Sequence, residues 1–273
     1  MTALNASPSL VSVVQTLTQK APFNRLESEA QATLFGSSKL LQCSVGQRIL
    51  RSDTIPDRIY FVLSGTVRLL AESPRGSRTL DRCGPGQLLG WVSLLRAEPC
   101  EWVLSSEDNT VLLAIPSANF VTCLEANPGF CTEFARLSSR QEVDRVLSRV
   151  SEADAQLPAG WEQLYQSLSA SDNCWVESVM PGDPFSPPEN IPESAIWLLS
   201  TAGVPGMAVG QRVNPGVVLP KRAGFRLPYR LIAIPGDVPL NHFNQPQQLA
   251  ASDEAIEPFL EQPAQALSQL GIL

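Results

Sequence analysis

The sequence predicts a mainly β protein with flanking helices, in which a compact β-roll is followed by a second, smaller, degenerate β-rich domain. Three observations carry that prediction. Between Leu40 and Phe120, short apolar runs are separated by Gly, Pro, Asp and Ser turns, as in a closed all-β fold. On either side, residues 8–35 and 131–150 carry apolar residues at helical spacing. The segment 174–235 then repeats, in order, three pieces of the first β region.

Residues 1–37 are expected to hold helices. Ser7-Pro8-Ser9 supplies a cap and a first-turn proline ahead of Leu10, Val13, Val14 and Leu17. Ala21-Pro22-Phe23 interrupts the period, and a second helix with Leu26, Ala30 and Leu34 stops at Gly36. Residues 38–150 are the roll with its C-terminal helix. The strand-sized runs are Ile49-Leu50, Ile59–Leu63, Val67–Leu70, Leu88-Leu89 and Val111–Ile115, and Pro74-Arg75-Gly76-Ser77 reads as a hairpin turn. The helix at 131–150 has an apolar stripe of Phe134, Leu137, Val143, Val146, Leu147 and Val150, with Arg136, Arg140, Glu142, Asp144 and Arg145 between. Residues 151–173 read as a linker with a short helix at Trp161–Leu168, 174–235 as the second β-rich domain, and 236–273 as a proline-rich tail with a helix at 252–270.

Composition narrows the function classes. The 44% hydrophobic and 17% charged fractions are those of a folded protein, and no apolar run reaches the ~20 residues of a membrane helix. No secretory signal is read at Met1–Leu10, so the expected location is cytoplasmic, at most on the membrane face. The net charge is −7, and after residue 20 the only lysines are Lys39 and Lys221. Nucleic-acid binding needs clustered cations, so no nucleic-acid partner is expected. The six cysteines form no CxxC pair and the one histidine is His242, so no metal site, no cofactor and no cysteine nucleophile are expected.

The turn glycines and the runs between them form a set. Gly46 opens "VGQRILRSDTIPDRIYFVLSGTVRLL", "CGPGQLLGWVSLL" follows with Gly86 and Gly90, and "VLLAIPSANF" closes the span. Over about a third of the chain this resembles the cyclic-nucleotide-binding domain family. The resemblance implies a β-roll with a phosphate-binding cassette. There a Gly-Glu pair opens a short helix, the Glu takes the ribose hydroxyl, and backbone N–H groups with an Arg take the cyclic phosphate. Here the altered cassette is Gly90, Trp91, Arg96, Pro99, Cys100 and Glu101. Gly90 matches, but by this resemblance Trp91 stands where the ribose-binding Glu belongs and Pro99 about where the phosphate-binding Arg belongs, followed by Cys100 and Glu101. Glu101 adds a negative charge near the phosphate position, and Arg96 is expected to face solvent at the helix end. The expectation is a retained fold that no longer holds a cyclic nucleotide.

The echo in the second half pairs "LLQCSVGQRIL" with "WVESVMPGDPF", "IYFVLSGTV" with "AIWLLSTAGV", and "TVLLAIP" with "YRLIAIP". The spacing is shorter in the second copy, so it reads as a degenerate roll whose cassette is deleted. Together with "LGWVSLLRAEPCE", this arrangement looks like the cytosolic N-terminal region of cyanobacterial peptidase-containing ABC exporters. That resemblance implies a non-catalytic regulatory or docking region, with a protein partner or downstream exporter domains. The alternative is a stand-alone sensor of a non-standard small ligand in the altered cassette, with Trp91 and Trp102 stacking on a ring. An enzyme is not expected.

Overall fold

The computed structural model describes residues 9–73, 76–135, 137, 139–153 and 175–234. Of the linker and helix expected over 151–173, residues 151–153 are instead the end of a helix; the rest of that segment, the tail from 236, Cys174, His242 and the Pro74-Arg75 half of the hairpin turn lie outside the described residues. The chain begins with α1 (Leu10–Thr18), whose N-cap is Ser9: its Oγ accepts the Ser12 N–H at 3.2 Å and satisfies a first-turn donor. A 3-10 turn at Phe23–Arg25 follows the expected break, and α2 (Ser28–Phe35) ends at Gly36.

The roll has eight strands: β1 (Lys39–Cys43), β2 (Arg48–Leu50), β3 (Arg58–Ser64), β4 (Val67–Ser73), β5 (Gly76–Cys83), β6 (Leu88–Leu89), β7 (Trp102–Ser105) and β8 (Thr110–Pro116). A short helix, α3 (Trp91–Arg96), lies between β6 and β7. The strands form two four-stranded antiparallel sheets, ordered β1-β8-β3-β6 and β2-β7-β4-β5. Val62, Leu69, Leu89, Val103 and Leu112 fill the interior between them. The opposite face of the first sheet, with Ile59, Leu113 and Ile115, is covered by helices. That is why "VLLAI" in β8 is a continuous apolar run, since the strand is buried on both faces.

Three helices follow: α4 (Ser117–Ala126), α5 (Pro128–Ala135) and α6 (Arg140–Ala153). The first lies within the span read as roll, although Phe120, Cys123 and Leu124, all buried, have helical spacing. The segment 131–150 is two helices with a break, and Leu137, expected in the apolar stripe, sits in the break and is exposed. Glu142 is fully buried and Asp144 nearly so; the charged residues of that stretch do not all face water.

The second β region contains β9 (Val176–Val179), β10 (Ile196–Leu199) and β11 (Tyr229–Ile234), paired antiparallel in the order β9-β11-β10. This reproduces β1-β8-β3 residue for residue. Leu113 stands between Leu40 and Phe61 in the first sheet, and Ile232 between Val176 and Leu198 in the second. The turns repeat as well. Gly86 N–H donates to the Val62 carbonyl and Val62 N–H to that of Gln87, both at 2.9 Å; Gly210, Leu199 and Gln211 make the same pair at 2.8 Å. In each turn the glutamine Oε1 accepts the N–H three residues back, that of Gly84 or Ala208. Both glycines have positive φ, 94° and 85°, which a side chain would strain. Where the first roll carries α3, the second passes from Val213 to Val217 through Asn214-Pro215-Gly216, and Phe185 brackets that turn with two backbone bonds. No helix interrupts the second copy there.

Candidate functional site

The cassette begins where β6 ends. Gly90 leads into α3, and the chain returns through Pro99 to Glu101 just before β7. Glu101 lies beneath the start of the helix and is buried. Its Oε1 accepts the Gly90 N–H at 2.8 Å, and its Oε2 accepts the Ser93 N–H at 3.1 Å and the Ser93 hydroxyl at 3.0 Å. These backbone donors open the helix, and a carboxylate on the chain itself already satisfies them. Burial pushes the Glu101 carboxyl above the usual carboxylate range, and the bonds from Gly90 and Ser93 offset only part of that cost.

Trp91 is a core residue. Its indole N–H donates to the Leu88 carbonyl at 3.1 Å, and its ring lies 6.0 Å from that of Phe134. Trp102 lines a small cleft with Arg48, Arg51 and Asp53, while Trp91 lines a different cavity, so the two indoles do not form one stacking site. Pro99 is half-buried and offers no N–H. Burial pushes the Cys100 thiol up to about 12, which keeps it protonated and unreactive.

Arg96 corrects the expectation from sequence. It does not face solvent: its side chain is fully buried. Its Nε donates to the carbonyl and hydroxyl oxygens of Ser200, at 3.1 and 2.9 Å, and its guanidinium pairs with Glu98 at 3.1 Å. Its backbone carbonyl accepts the Ala202 N–H at 2.8 Å. The cassette cation is therefore directed at the second β region and not at a ligand position.

A strand-bounded roll with a short helix between β6 and β7, opening on Gly90, decides the comparison. Residues 40–127 match the family model of the cyclic nucleotide-binding domain. Solved structures similar to the chain include the sensor domain of the transcriptional regulator DNR from Pseudomonas aeruginosa, at 16% identity and TM-score 0.42, covering 54% of this chain and 98% of that one. The catabolite activator protein of Thermus thermophilus aligns at 21% identity and TM-score 0.34, over 55% of this chain and 79% of that one. The N-terminal domain of a transcriptional regulator from Streptomyces coelicolor A3(2) gives 26% identity and TM-score 0.34, over 50% and 94%. Comparison with curated proteins gives no match.

One residue that joins the roll's helices to the second β region was missed in the sequence. Arg230, near the start of β11, is fully buried and forms a bidentate pair with Glu142 of α6 at 2.7 and 2.8 Å. It also donates to the carbonyls of Phe134, Ala135 and Leu137 at the end of α5, and its guanidinium carbon lies 5.3 Å from the centre of the Trp91 ring. By occupying those carbonyls it supports the break between α5 and α6. Ser200 joins the set, donating to Glu142 at 2.6 Å. Burial raises the Glu142 carboxyl, but the charge and hydrogen bonds of Arg230 outweigh it and hold the group below its ordinary value. The signal was in the echo: "YRLIAIP" differs from "TVLLAIP" most sharply by an arginine inside an apolar run. Among the described residues no cluster of His, Cys, Asp and Glu could hold a metal, and no helix is long and apolar enough to cross a membrane.

Proposed function

We propose that the chain is a non-catalytic regulatory or docking region built on the cyclic-nucleotide-binding fold, which keeps its working shape without a cyclic nucleotide. The observation that carries this reading is the Glu101 carboxylate seated on the Gly90 and Ser93 N–H groups. A phosphate arriving there meets a buried acid in place of free donors, and with Pro99 it finds no arginine opposite. Loss of a charge-assisted contact alone costs about 1.5–3 kcal/mol, and here an opposing charge is added. Isothermal titration of the full chain with cyclic AMP and cyclic GMP is expected to give no heat of binding at micromolar nucleotide. A micromolar or tighter constant for either would overturn the reading.

The finer setting we propose is a peptide-exporting ABC transporter, of which this would be the N-terminal part or an accessory. Its support is the sequence resemblance around "LGWVSLLRAEPCE" and the three-stranded second β region, which has no helix at the cassette position. Size-exclusion with the cytosolic peptidase and ATPase regions of such an exporter is expected to show a complex. If both elute separately from the chain, the exporter setting falls while the regulatory reading stands.

A further inference from the structure

Beside the closed cassette a cavity of about 880 Å³ opens between α1, β3 and the start of α6. Pockets of this size take whole drug-sized molecules. Its walls include Leu17, Phe23, Phe61, Leu63, Trp91 and Val143. Lys20, Asp81, Glu101 and Arg140 are the ionisable residues along it, two of each sign. Asp81 and Arg140 lie 3.8 Å apart and neutralise each other, and Glu101 is held by the start of α3. Lys20 is exposed at the end of α1, where water screens it. The lining therefore mixes polar groups with a larger share of apolar and aromatic surface; Arg140 is paired with Asp81, and Glu101 adds an acid to the wall.

From this geometry we infer that the cavity is a binding site for a neutral, largely apolar small molecule carrying an aromatic ring or a compact hydrocarbon body, and no phosphate. A phosphate or carboxylate would lose its hydration and find only the water-screened Lys20, because Arg140 is already paired with Asp81 and Arg96 with Glu98. An apolar ring gains contact with Phe61, Trp91 and Phe23 and displaces water from surfaces that cannot bond to it. Because α1 and α6 both contribute walls, an occupant would bridge the N-terminal helix to the helix that Arg230 holds through Glu142. The inference goes beyond the docking reading, and neither depends on the other.

The test is fluorescence titration of the full chain with N-phenyl-1-naphthylamine, a neutral apolar probe. One-to-one saturable binding is expected, with the anionic probe 8-anilinonaphthalene-1-sulfonate binding at least about tenfold more weakly and cyclic AMP displacing neither. Two variants fill the cavity: Leu63→Trp from the roll side, and Thr16→Trp from the exposed side of α1, where a larger residue does not disturb the core. Each is expected to weaken the neutral probe by about tenfold or more, while Val11→Trp, exposed on α1 and not part of the lining, leaves it unchanged. Circular dichroism confirms that the variants are folded. Absence of saturable binding overturns the assignment. So does unaltered binding to the folded Thr16→Trp variant, tighter binding of the anionic probe, or displacement by cyclic AMP.

Discussion

At the scale of single residues, the chemistry of the cassette rests on Glu101. Replacing it with alanine leaves the Gly90 and Ser93 donors buried without an acceptor, and each such group costs about 1–3 kcal/mol. Urea unfolding of Glu101→Ala is expected to show a midpoint lowered accordingly, with an unchanged slope. Glu101→Gln separates charge from shape. The Glu101 carboxyl titrates above its unfolded value, so its contribution favours the fold below about pH 4.3 and is lost as pH rises through the higher folded value. A permanently neutral glutamine escapes that loss. Relative to the parent, Glu101→Gln should therefore be more favourable at pH 7 than at pH 4, as urea midpoints at the two values will show. A difference of the opposite sign would mean that the bonds from Gly90 and Ser93 outweigh burial.

Between elements, the decisive contact is the grip of β11 on α5 and α6. Arg230 and Glu142 are both without solvent exposure, so removing one partner strands a buried charge. Arg230→Met is expected to cost about 3–5 kcal/mol, and Arg230→Met with Glu142→Leu to recover much of it, because an apolar pair of similar volume has no charge to desolvate. A double-mutant cycle on chemical unfolding measures the coupling. Glu142 also gives the fold an acid limit. Its carboxyl is held below the ordinary value, so the stability it contributes is present above about pH 4.3 and is lost as pH falls through the lower folded value. Glu142→Gln should flatten that limb of the acid-unfolding curve. The second contact lies at the other end of α6. A Cβ on Gly210 would stand 2.9 Å from Val150 Cγ2, and the φ of +85° is already costly for a side chain. Gly210→Ala is expected to destabilise by about 1–2 kcal/mol. Adding Val150→Ala should return the contact part of that cost and not the backbone part.

Across the whole molecule, the described residues, 9 to 234, fall in one compact unit containing both β regions. The apolar stripe of α6, with Val143, Val146, Leu147 and Val150, is buried within the chain. It therefore offers no coiled-coil seam to a second copy. Sedimentation velocity at micromolar concentration is expected to show a monomer, and a tight dimer would mean that another surface drives assembly. Because Arg96 and Arg230 join cassette, helices and second sheet through buried bonds, urea unfolding followed by tryptophan fluorescence and by far-ultraviolet circular dichroism should give coincident curves. Separate transitions would show that the two β regions unfold independently.

The features that the sequence determined by itself are those set by local pattern. Period-two and period-3.6 spacing, a capping serine ahead of Leu10 and the turn glycines place the roll and most flanking helices, because each depends on neighbours a few residues apart; Pro8, read as a first-turn residue, instead precedes the Ser9 cap. The ordered echo that the register of β9, β10 and β11 repeats was visible for the same reason. Only the tertiary structure decided where the charges go. Arg96 reads as solvent-facing at the end of a short helix, yet it is buried against Ser200, 104 residues away. Glu142 lies among the charged positions of an amphipathic helix, yet Arg230, 88 residues on, draws it into the interior. Whether a charged side chain is solvated or buried depends on a partner that can offset its desolvation. Such partners come from distant segments brought together by packing, and no local window of the sequence contains both members of the pair.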